Sequence, residues 1–435
     1  MNVVMIGAGY VGLVSGSCFA EFGANVCCVD VNEERVSSLS RGEIPIYEPG
    51  LDLLVAKNVD AGRLRFSTDI KSAVPDADII FIAVGTPTRR GDGHADLTYV
   101  YEAAKNIAPL LSGYTVIVNK STVPVGTARQ VQRIVKEHNP EADFDIASNP
   151  EFLREGAAIS DFMRPDRVVL GVETERAEDL LRELYRPINL IEAPILCTGL
   201  ESAELTKYAA NAFLATKISF INEISSLCES VGADVHEVAK GMGLDGRIGR
   251  KFLHPGPGYG GSCFPKDTTA LIRIAQENDI SLRIVEAVVD VNDAQKARMV
   301  NKIKTALGDV AGKKIAVFGL TFKPETDDMR DSPSIAIIPP LMDKGAVIRA
   351  HDPKGVEQAR SLLPGDVSYF DDAYEAAKGV DAIVLMTEWN QYRSLDLRRL
   401  KKDMNDTHFI DLRNVYDPKH MKKQGFKYTS VGRLG

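Results

Sequence analysis

A glycine-rich segment near the middle of the chain carries the residue best suited to covalent catalysis. Residues 256–267 read Gly-Pro-Gly-Tyr-Gly-Gly-Ser-Cys-Phe-Pro-Lys-Asp. Glycines let a backbone approach a ligand closely, so we interpret this segment as a binding loop and not as part of a core. Because a helix N-terminus and a nearby lysine both favour the thiolate, Cys263 is a candidate nucleophile. The other five of the six cysteines fall within helical or strand patterns that are typical of small buried residues.

A second glycine motif, at the start of the chain, predicts a dinucleotide site. It lies between an apolar, β-branched run and a stretch with helical character, and consists of Gly7, Ala8, Gly9, Tyr10, Val11 and Gly12. In such a motif the first glycine makes a tight turn, the second admits a pyrophosphate, and the third lets the helix pack on the strand. The helix N-terminus then offers N–H groups and partial positive charge to the phosphates.

An acidic residue stands at the position that selects the form of the cofactor. Asp30 closes the second apolar run, 18 residues after Gly12. A carboxylate there accepts hydrogen bonds from the ribose hydroxyls and repels a 2′-phosphate, which favours NAD over NADP. Arg35 is close in sequence, where it can contact either the adenosine side or a 2′-phosphate.

A reactive cysteine and a nicotinamide cofactor together suggest one reaction. A thiolate adds to an aldehyde and gives a thiohemiacetal, which loses hydride to NAD⁺ and becomes a thioester. Water then releases a carboxylic acid. The chemistry predicted for Cys263 is therefore the oxidation of an aldehyde to a carboxylate.

Apolar runs alternate with helical patterns along the first 200 residues, which predicts a doubly wound parallel sheet of the α/β class. Strands are predicted at 2–6, 24–29, 78–84, 115–119, 144–148 and 168–172, and helices at 13–22, 97–111 and 127–138. Polar segments follow these strands, at the carboxyl ends where such sheets bind ligands.

The middle of the chain is predicted to be mostly helical. Helical patterns cover 201–231 and 268–307, with a break near Asp279, and long helices of this kind favour a dimer core. Strands return at 314–318, 347–350, 381–386 and 407–411, with a helix at 333–344. This last third echoes the first but lacks the glycine motif, so we predict no second dinucleotide. The predicted domains are 1–199, 200–309 and 310–435.

Composition excludes several classes of protein. The chain has 435 residues, 52 basic and 60 acidic side chains and a net charge of −8, which disfavours a nucleic-acid partner. Cysteines are too few for a disulfide scaffold, and no spacing suggests zinc, so no metal is predicted. No apolar run approaches a membrane span, and the first ten residues lack the features of a signal peptide. We therefore expect a cytoplasmic protein.

Four motifs together resemble the UDP-glucose/GDP-mannose dehydrogenase family. They are the glycine motif, Asn-Pro-Glu-Phe-Leu-Arg-Glu at 149–155, Gly-Gly-Ser-Cys-Phe-Pro-Lys-Asp at 260–267 and Phe-Lys at 322–323. The resemblance covers essentially the whole chain. It implies two Rossmann-like doubly wound domains joined by a long helical dimerisation segment. It also implies a homodimer that oxidises a sugar C6 alcohol to a carboxylate in two NAD-linked steps.

The resemblance assigns catalytic roles. Lys207 and Asn211, four residues apart on one predicted helix, would stabilise an alkoxide or oxyanion at C6. Asp267 would belong to the acid–base network, Thr122 would hold a water or the nicotinamide, and Glu151 and Glu155 would activate the hydrolytic water. The alternatives are structural: a solvated lysine, a helix N-cap at Asp267, a turn residue at Thr122 and a charged surface loop.

Binding roles follow from the same resemblance. Further cofactor contacts would come from Thr86, Thr122, Glu155, Lys266 and Arg330, the last at the pyrophosphate. The substrate would contact Glu151, Phe152, Leu153, Arg154, Glu155, Lys207, Asn211, Phe252, Leu253, His254, Pro255, Gly256, Tyr259, Gly260, Lys323 and Arg413. Arg247 would reach the site of the neighbouring subunit. UDP-glucose is the favoured substrate, with GDP-mannose or a UDP-N-acetylhexosamine as the alternative.

Two interpretations from other classes remain open. A single-step alcohol dehydrogenase would share the glycine motif and the helical middle segment but would not need Cys263. A protein that only senses NAD would explain the glycine motif but not the loop at 256–267.

Overall fold

The computed structural model describes residues 1–89 and 93–433. The chain divides into two compact units, Met1–Ala210 and Asn211–Gly435. Each unit is built around a sheet of its own.

The sheet of the first unit is mainly parallel, and its central strands are buried on both faces. Its strands within the described residues are β1 (Asn2–Ile6), β2 (Asn25–Val29), β3 (Leu64–Ser67), β4 (Ile79–Ile82), β5 (Thr115–Asn119), β6 (Phe144–Ser148), β7 (Val168–Gly171) and β8 (Ile195–Thr198). They are arranged in the order β3-β2-β1-β4-β5-β6-β7-β8, and β6 and β7 pair antiparallel while the other neighbours pair parallel. The chain reverses its direction of winding between β1 and β4, where ligands bind in sheets of this kind.

Helices cover both faces of this sheet. They are α1 (Tyr10–Glu21), α2 (Glu33–Ser40), α3 (Leu51–Asp60), α4 (Ile70–Ala73), α5 (Thr98–Ile107), α6 (Thr127–His138), α7 (Ala158–Met163) and α8 (Glu175–Leu184), with 3₁₀ turns at Ala108–Leu110 and Arg186–Ile191. Successive strand residues belong to opposite cores: Phe81 packs with Phe19 on one face, and Ile80 packs with Val100 on the other. This double burial explains why the strands read as continuous apolar runs.

A long helix leads into the second unit. Helix α9 (Leu200–Val231) starts in the first unit and is followed by α10 (Val235–Gly243), α11 (Phe264–Glu277) and α12 (Arg283–Leu307). The helical break predicted near Asp279 is confirmed, since this residue has φ 56° between α11 and α12.

The sheet of the second unit repeats the core order of the first. Its strands are β9 (Lys314–Phe318), β10 (Val347–His351), β11 (Ser368–Tyr369), β12 (Ala382–Leu385), β13 (His408–Asp411) and β14 (Lys427–Ser430). They pair parallel in the order β11-β10-β9-β12-β13-β14. The surrounding helices are α13 (Pro333–Met342), α14 (Val356–Leu362), α15 (Ala373–Ala377), α16 (Leu397–Asp403) and α17 (Pro418–Gln424), with a 3₁₀ turn at Asn390–Ser394.

The predicted fold class is confirmed, because both sheets are of the doubly wound α/β kind and a long helix follows the first. Two helix starts are wrong: α1 begins at Tyr10 and α11 at Phe264, three and four residues before their predicted starts. The division into three domains at 200 and 310 stays a prediction. In the parts of the chain that the structure describes, no helix combines the length and the apolar character needed to cross a bilayer.

Candidate active site

The first glycine loop is shaped by close contacts between backbones. Gly7 has φ 103°, and a Cβ there would lie 2.7 Å from the carbonyl oxygen of Ala83. A Cβ on Gly12 would lie 1.8 Å from the carbonyl oxygen of Gly7. Gly9, by contrast, has open space of at least 4 Å around its Cβ position among the described residues, at the N-cap of α1. The loop therefore fits a pyrophosphate placed on the N-terminus of α1.

Asp30 is held in place at the carboxyl end of β2. Its Oδ2 accepts hydrogen bonds from Ala8 N at 2.8 Å and from Arg35 Nη1 at 3.0 Å. Its Oδ1 accepts one from Asn32 N at 2.9 Å. Arg35 is thus directed at the carboxylate.

The loop after β6 carries a buried ion pair. Lys207 Nζ lies 2.9 Å from Glu151 Oε1, and the two side chains are 4% and 6% exposed. Burial would raise the pKa of Glu151, but Lys207 and a hydrogen bond from Leu153 N hold the pKa below its usual value. The alternative of a solvated lysine is therefore wrong, and so is that of an exposed carboxylate at Glu151.

Phe152 lies against two cations. Lys207 Nζ is 5.3 Å from the centre of its ring, and the guanidinium carbon of Arg167 is 3.5 Å from it. Arg154 is more exposed, and its guanidinium pairs with Asp161 at 2.6 Å. Glu155 is half-buried. The predicted substrate residues of this loop thus lie in different environments, and Glu151 is the member most removed from water.

A lysine that the sequence analysis missed lies close to this ion pair. Lys120 Nζ donates to Asn149 Oδ1 at 2.9 Å and is 3.3 Å from the Tyr185 hydroxyl. Burial lowers the pKa of Lys120 to about 8, with Glu151 opposing and Lys207 adding to the shift. The signal was present in the sequence, since Lys120 directly follows the buried strand β5.

Thr86 and Thr122 meet beyond the ends of β4 and β5. The Thr86 hydroxyl donates to the Thr122 carbonyl oxygen at 2.9 Å. The N-terminus of α6 is capped by Glu204, a second buried residue that the sequence analysis missed. Glu204 accepts hydrogen bonds from Gly126 N at 2.7 Å and from Ala128 N at 2.8 Å. Burial raises the pKa of Glu204 to about 7, with both backbone donors opposing the shift.

In the second unit, Cys263 is the N-cap residue of α11, so its thiol lies at the N-terminus of a 14-residue helix. Its Sγ is 3.5 Å from the Ser262 hydroxyl. Asp267 is fully buried in the first turn, where it accepts from Asn211 Nδ2 and from Lys266 Nζ, each at 2.6 Å. The alternative role of Asp267 as N-cap is therefore wrong.

The glycines before Cys263 are buried against protein, which corrects the expectation that they have no use in a core. A Cβ on Gly260 would lie 2.2 Å from the carbonyl oxygen of Asp331, and one on Gly261 would lie 2.7 Å from the Phe322 ring. Gly261 N also donates to the Arg330 carbonyl oxygen at 2.8 Å. These glycines hold the cysteine loop against the segment that follows β9.

Buried amides fix the first half of the same loop. Asn222 Oδ1 accepts from Gly256 N at 2.8 Å, and Gln295 Nε2 donates to Gly256 O at 2.7 Å. Asn292 accepts from Tyr259 N at 2.8 Å and donates to its carbonyl oxygen at 3.1 Å. These residues were missed, although amides on the apolar face of a predicted helix are a signal of such a role.

The predicted contacts with the sugar nucleotide partly come together. Arg413 donates to the carbonyl oxygens of Phe322 and Met386 at 2.9 and 2.7 Å, and its guanidinium lies beside Gly256. Lys323 Nζ lies 5.3 Å from the centre of the Phe322 ring.

The other predicted residues of this unit lie in different settings. Phe252 adopts φ 66° and its ring is 6.1 Å from that of Phe264. Leu253 and Pro255 are buried, His254 is exposed, and Arg330 pairs with Asp328 at 2.8 Å. Arg247, which is 90% exposed, pairs with Asp245 at 2.6 Å.

Comparison with known proteins agrees with this arrangement. The chain matches three descriptions of one family: the NAD binding domain over residues 1–189, the central domain over 201–294 and the UDP binding domain over 316–418. The chain belongs to the UDP-glucose/GDP-mannose dehydrogenase family. It is thus an NAD-dependent oxidoreductase, and the predicted cofactor and enzyme class are confirmed.

Relatives extend this family match along the whole chain. A UDP-glucose 6-dehydrogenase of Rhizobium meliloti (strain 1021) is 58% identical and is aligned over 100% of both chains. The UDP-glucose 6-dehydrogenase TuaD of Bacillus subtilis (strain 168) is 51% identical over 99% of this chain and 93% of its own. A solved UDP-glucose dehydrogenase from the hyperthermophilic archaeon Pyrobaculum islandicum superposes with a TM-score of 0.92. It is 40% identical, with coverage of 100% and 98%.

The family match sorts the predicted residues by domain. The glycine loop, Asp30 and the Glu151 loop fall in the NAD binding domain, Cys263 and Asp267 fall in the central domain, and Arg413 falls in the UDP binding domain. Within residues 1–89 and 93–433, no three acidic, histidine or cysteine side chains are grouped to hold a metal.

Proposed function

We propose that this chain oxidises C6 of UDP-glucose from alcohol to carboxylate and forms UDP-glucuronate. The observation that carries the proposal is the setting of Cys263, at the N-terminus of α11 and one turn before a buried aspartate held by Asn211 and Lys266. The choice of UDP-glucose rests on the full-length similarity to UDP-glucose 6-dehydrogenases.

Residues of the first unit would hold the cofactor. Bound NAD⁺ supplies the hydride acceptor for both oxidations. The N–H groups at the start of α1, including those of Tyr10 and Val11, would bind the pyrophosphate, and Asp30 would accept from the ribose hydroxyls. Further contacts are proposed from Arg35, Thr86, Thr122, Glu155, Lys266 and Arg330.

The first oxidation requires removal of the C6 hydroxyl proton while hydride leaves the carbon. Lys207 and Asp267 are the proposed groups around that oxygen, together with Asn211. An ammonium and an amide N–H both stabilise an alkoxide, so the same pair would lower the barrier to hydride loss.

The second oxidation would proceed through Cys263. The thiolate forms a C–S bond to the aldehyde carbon, and the resulting oxyanion is stabilised by Lys207 and Asn211. Loss of hydride leaves a thioester on Cys263. A water, whose proton passes to Glu151 or Glu155, then adds to the carbonyl carbon, the C–S bond breaks and the thiolate departs. One alcohol, one water and two NAD⁺ give one carboxylate, two NADH and three protons.

The N-terminus of α11 supports the attack of the Cys263 thiolate on the aldehyde. Free N–H groups and the dipole of α11 favour the thiolate over the thiol at its N-cap. A serine hydroxyl in the same place would stay protonated and would not form a thioester.

Substrate binding and assembly complete the proposal. The nucleotide would lie against Phe252–Gly256, Tyr259, Gly260, Lys323 and Arg413, and we propose a homodimer in which Arg247 reaches the neighbouring subunit. Two observations support the dimer: Arg247 is exposed, and α9 presents exposed Phe213, Phe220 and Leu227 at intervals of one heptad. The proposed location is the cytoplasm.

The test is the number of NADH formed per UDP-glucose by the purified chain in excess NAD⁺. We expect two NADH and UDP-glucuronate. We expect Cys263→Ser to bind NADH normally but to form no acid, while the control Cys197→Ser, which alters a half-buried cysteine of β8, behaves as the wild type.

Three other results would contradict the proposal in different ways. One NADH with an aldehyde product would remove the thioester step, and acid formation by Cys263→Ser would do the same. Faster turnover of GDP-mannose or a UDP-N-acetylhexosamine would change the substrate.

A further inference from the structure

Glu48 is a buried carboxylate that joins two loops of the first unit and has no role in the proposed chemistry. It lies between α2 and α3 and is only 5% exposed. Burial of a carboxylate is unfavourable unless hydrogen bonds replace its water, so its partners indicate what it does.

The partners of Glu48 come from both loops. The hydroxyl of Tyr10, in the first turn of α1, donates to Oε2. Gly156 N donates to the same oxygen at 2.6 Å, and Ala158 N donates to Oε1 at 2.8 Å. Gly156 follows Glu155 directly, and Ala158 begins α7. One carboxylate thus ties the cofactor loop to the end of the segment 151–155.

The Tyr10 hydroxyl stays a donor in this arrangement. Burial, and then the carboxylate of Glu48, raise the pKa of Tyr10 well above its usual value. Because Tyr10 and Gly156 share Oε2, a shift of the first turn of α1 changes the position that Oε2 offers to Gly156.

We propose that Glu48 is a positioning residue that couples NAD binding at the glycine loop to the placement of the segment 151–155. Ligand binding at the N-terminus of α1 fixes Tyr10, Tyr10 fixes Oε2, and Oε2 fixes Gly156. The part played by Glu151 and Glu155 in hydrolysis rests on the proposed function, but the coupling itself does not depend on the sugar.

The experiment measures amide hydrogen exchange of the segment 151–158 with and without saturating NADH. In the wild type we expect NADH to slow exchange in this segment by about tenfold. In Tyr10→Phe, which keeps the ring and removes only the hydroxyl, we expect most of this effect of NADH to be lost, because only the proposed direct contact of Glu155 with the cofactor remains. Glu48→Gln, whose amide offers a single acceptor oxygen, should give the same result.

The matched control is Glu21→Gln. Glu21 also belongs to α1 and binds Lys57 and Asn58 of α3, but it lies at the far end of the helix. We expect this variant to keep the wild-type response to NADH.

Equal protection by NADH in wild type and Tyr10→Phe would overturn the proposal, because it would show that NADH orders the segment directly. Absence of any protection in the wild type would overturn it as well. Turnover of UDP-glucose by the same wild-type sample is measured in parallel, so failure of the proposed function is recorded separately.

Discussion

The two sheets of this protein build the same turn twice and use it differently. In each, the first strand is followed directly by a glycine with a positive φ angle. Gly7 has φ 103° and Gly319 has φ 88°. In each, the second strand ends in an aspartate whose Oδ2 accepts a backbone N–H of the first loop. Asp30 accepts from Ala8 N at 2.8 Å, and Asp352 accepts from Leu320 N at 2.7 Å.

The difference lies in the connection between the turn and the next helix. Helix α1 starts at Tyr10, three residues after Gly7, so its N-terminus lies at the end of β1. Helix α13 starts at Pro333, fourteen residues after Gly319. The long second connection carries Phe322, and Gly261 of the cysteine loop packs against it.

The two aspartates differ in a related way. Besides Leu320 N, Asp352 accepts hydrogen bonds from Thr321, Lys354 N and Gly355 N. The indole Nε1 of Trp389 also donates to its Oδ2, at 3.2 Å. Because all of these donors belong to the protein, we assign Asp352 a role in stabilising the fold. A short connection therefore leaves a helix N-terminus at the end of β1, where we propose that the cofactor binds, and a long one forms a scaffold for the loop that carries Cys263.

The largest effect should come from filling the close contacts of either loop. Gly12→Ala places a methyl group against Gly7 O, so the turn must open, and we expect NADH affinity to fall by about 100-fold or more. Gly260→Ala places one against Asp331 O, beside Arg330, so we expect loss of activity with a smaller fall in NADH affinity than in Gly12→Ala. Titration with NADH and assay of turnover check both.

Gly9→Ala is the control for this comparison. Its Cβ meets open space among the described residues, so we expect an unchanged melting temperature with weaker NADH binding. Wild-type affinity in this variant would show that the space at Gly9 is not used by the cofactor.

A smaller contrast is expected between the two aspartates. Asp30→Asn should raise the KM for NAD⁺ by about tenfold, because a carboxylate that accepts from the ribose hydroxyls is lost. It should also reduce the preference for NAD⁺ over NADP⁺, because the repulsion of a 2′-phosphate is lost. Asp352→Asn should leave that KM unchanged and lower the free energy of unfolding by about 3 kcal/mol, because buried N–H donors lose their acceptor. The opposite pattern would contradict the assigned roles.

The smallest effect concerns the pH dependence of stability that Lys120 of the first unit causes. Burial lowers the pKa of Lys120 to about 8 in the folded state, below its unfolded value. Between pH 8 and 9.5 the folded state therefore binds fewer protons at this group than the unfolded state does. Stability from this group therefore rises with pH. Between pH 8 and 9.5, the wild type should gain about 1.5 kcal/mol of unfolding free energy relative to Lys120→Met, measured by urea denaturation. Parallel curves for the two proteins would contradict this prediction.

Sequence patterns could predict the central elements because buried strands and their ends have a local signature. The strands at 2–6, 115–119, 144–148 and 314–318 and the helix at 127–138 have the predicted bounds. Short peripheral strands such as β3 and β11 were missed, because they lack a long apolar run. The start of α11 was placed too late, although Pro265 is compatible with the first turn of a helix, where proline is tolerated.

The environment of the site residues was less predictable, because their partners are distant in sequence. The burial of Lys207 depends on Glu151, 56 residues away, and that of Glu48 depends on Gly156, 108 residues away. Sequence motifs identified Lys207 and Glu151 as candidates but gave no signal for Glu48, and only the fold shows which carboxylates are buried and what they bind.

The most direct test of the account is a search for the covalent intermediate on Cys263. Wild-type protein is mixed with UDP-glucose and NAD⁺, quenched in acid within milliseconds, digested and analysed by mass spectrometry. We predict a UDP-glucuronyl group on the peptide that contains Cys263 and on no other cysteine peptide. Two NADH per sugar with a Cys263 peptide that is unmodified at every quench time would contradict it.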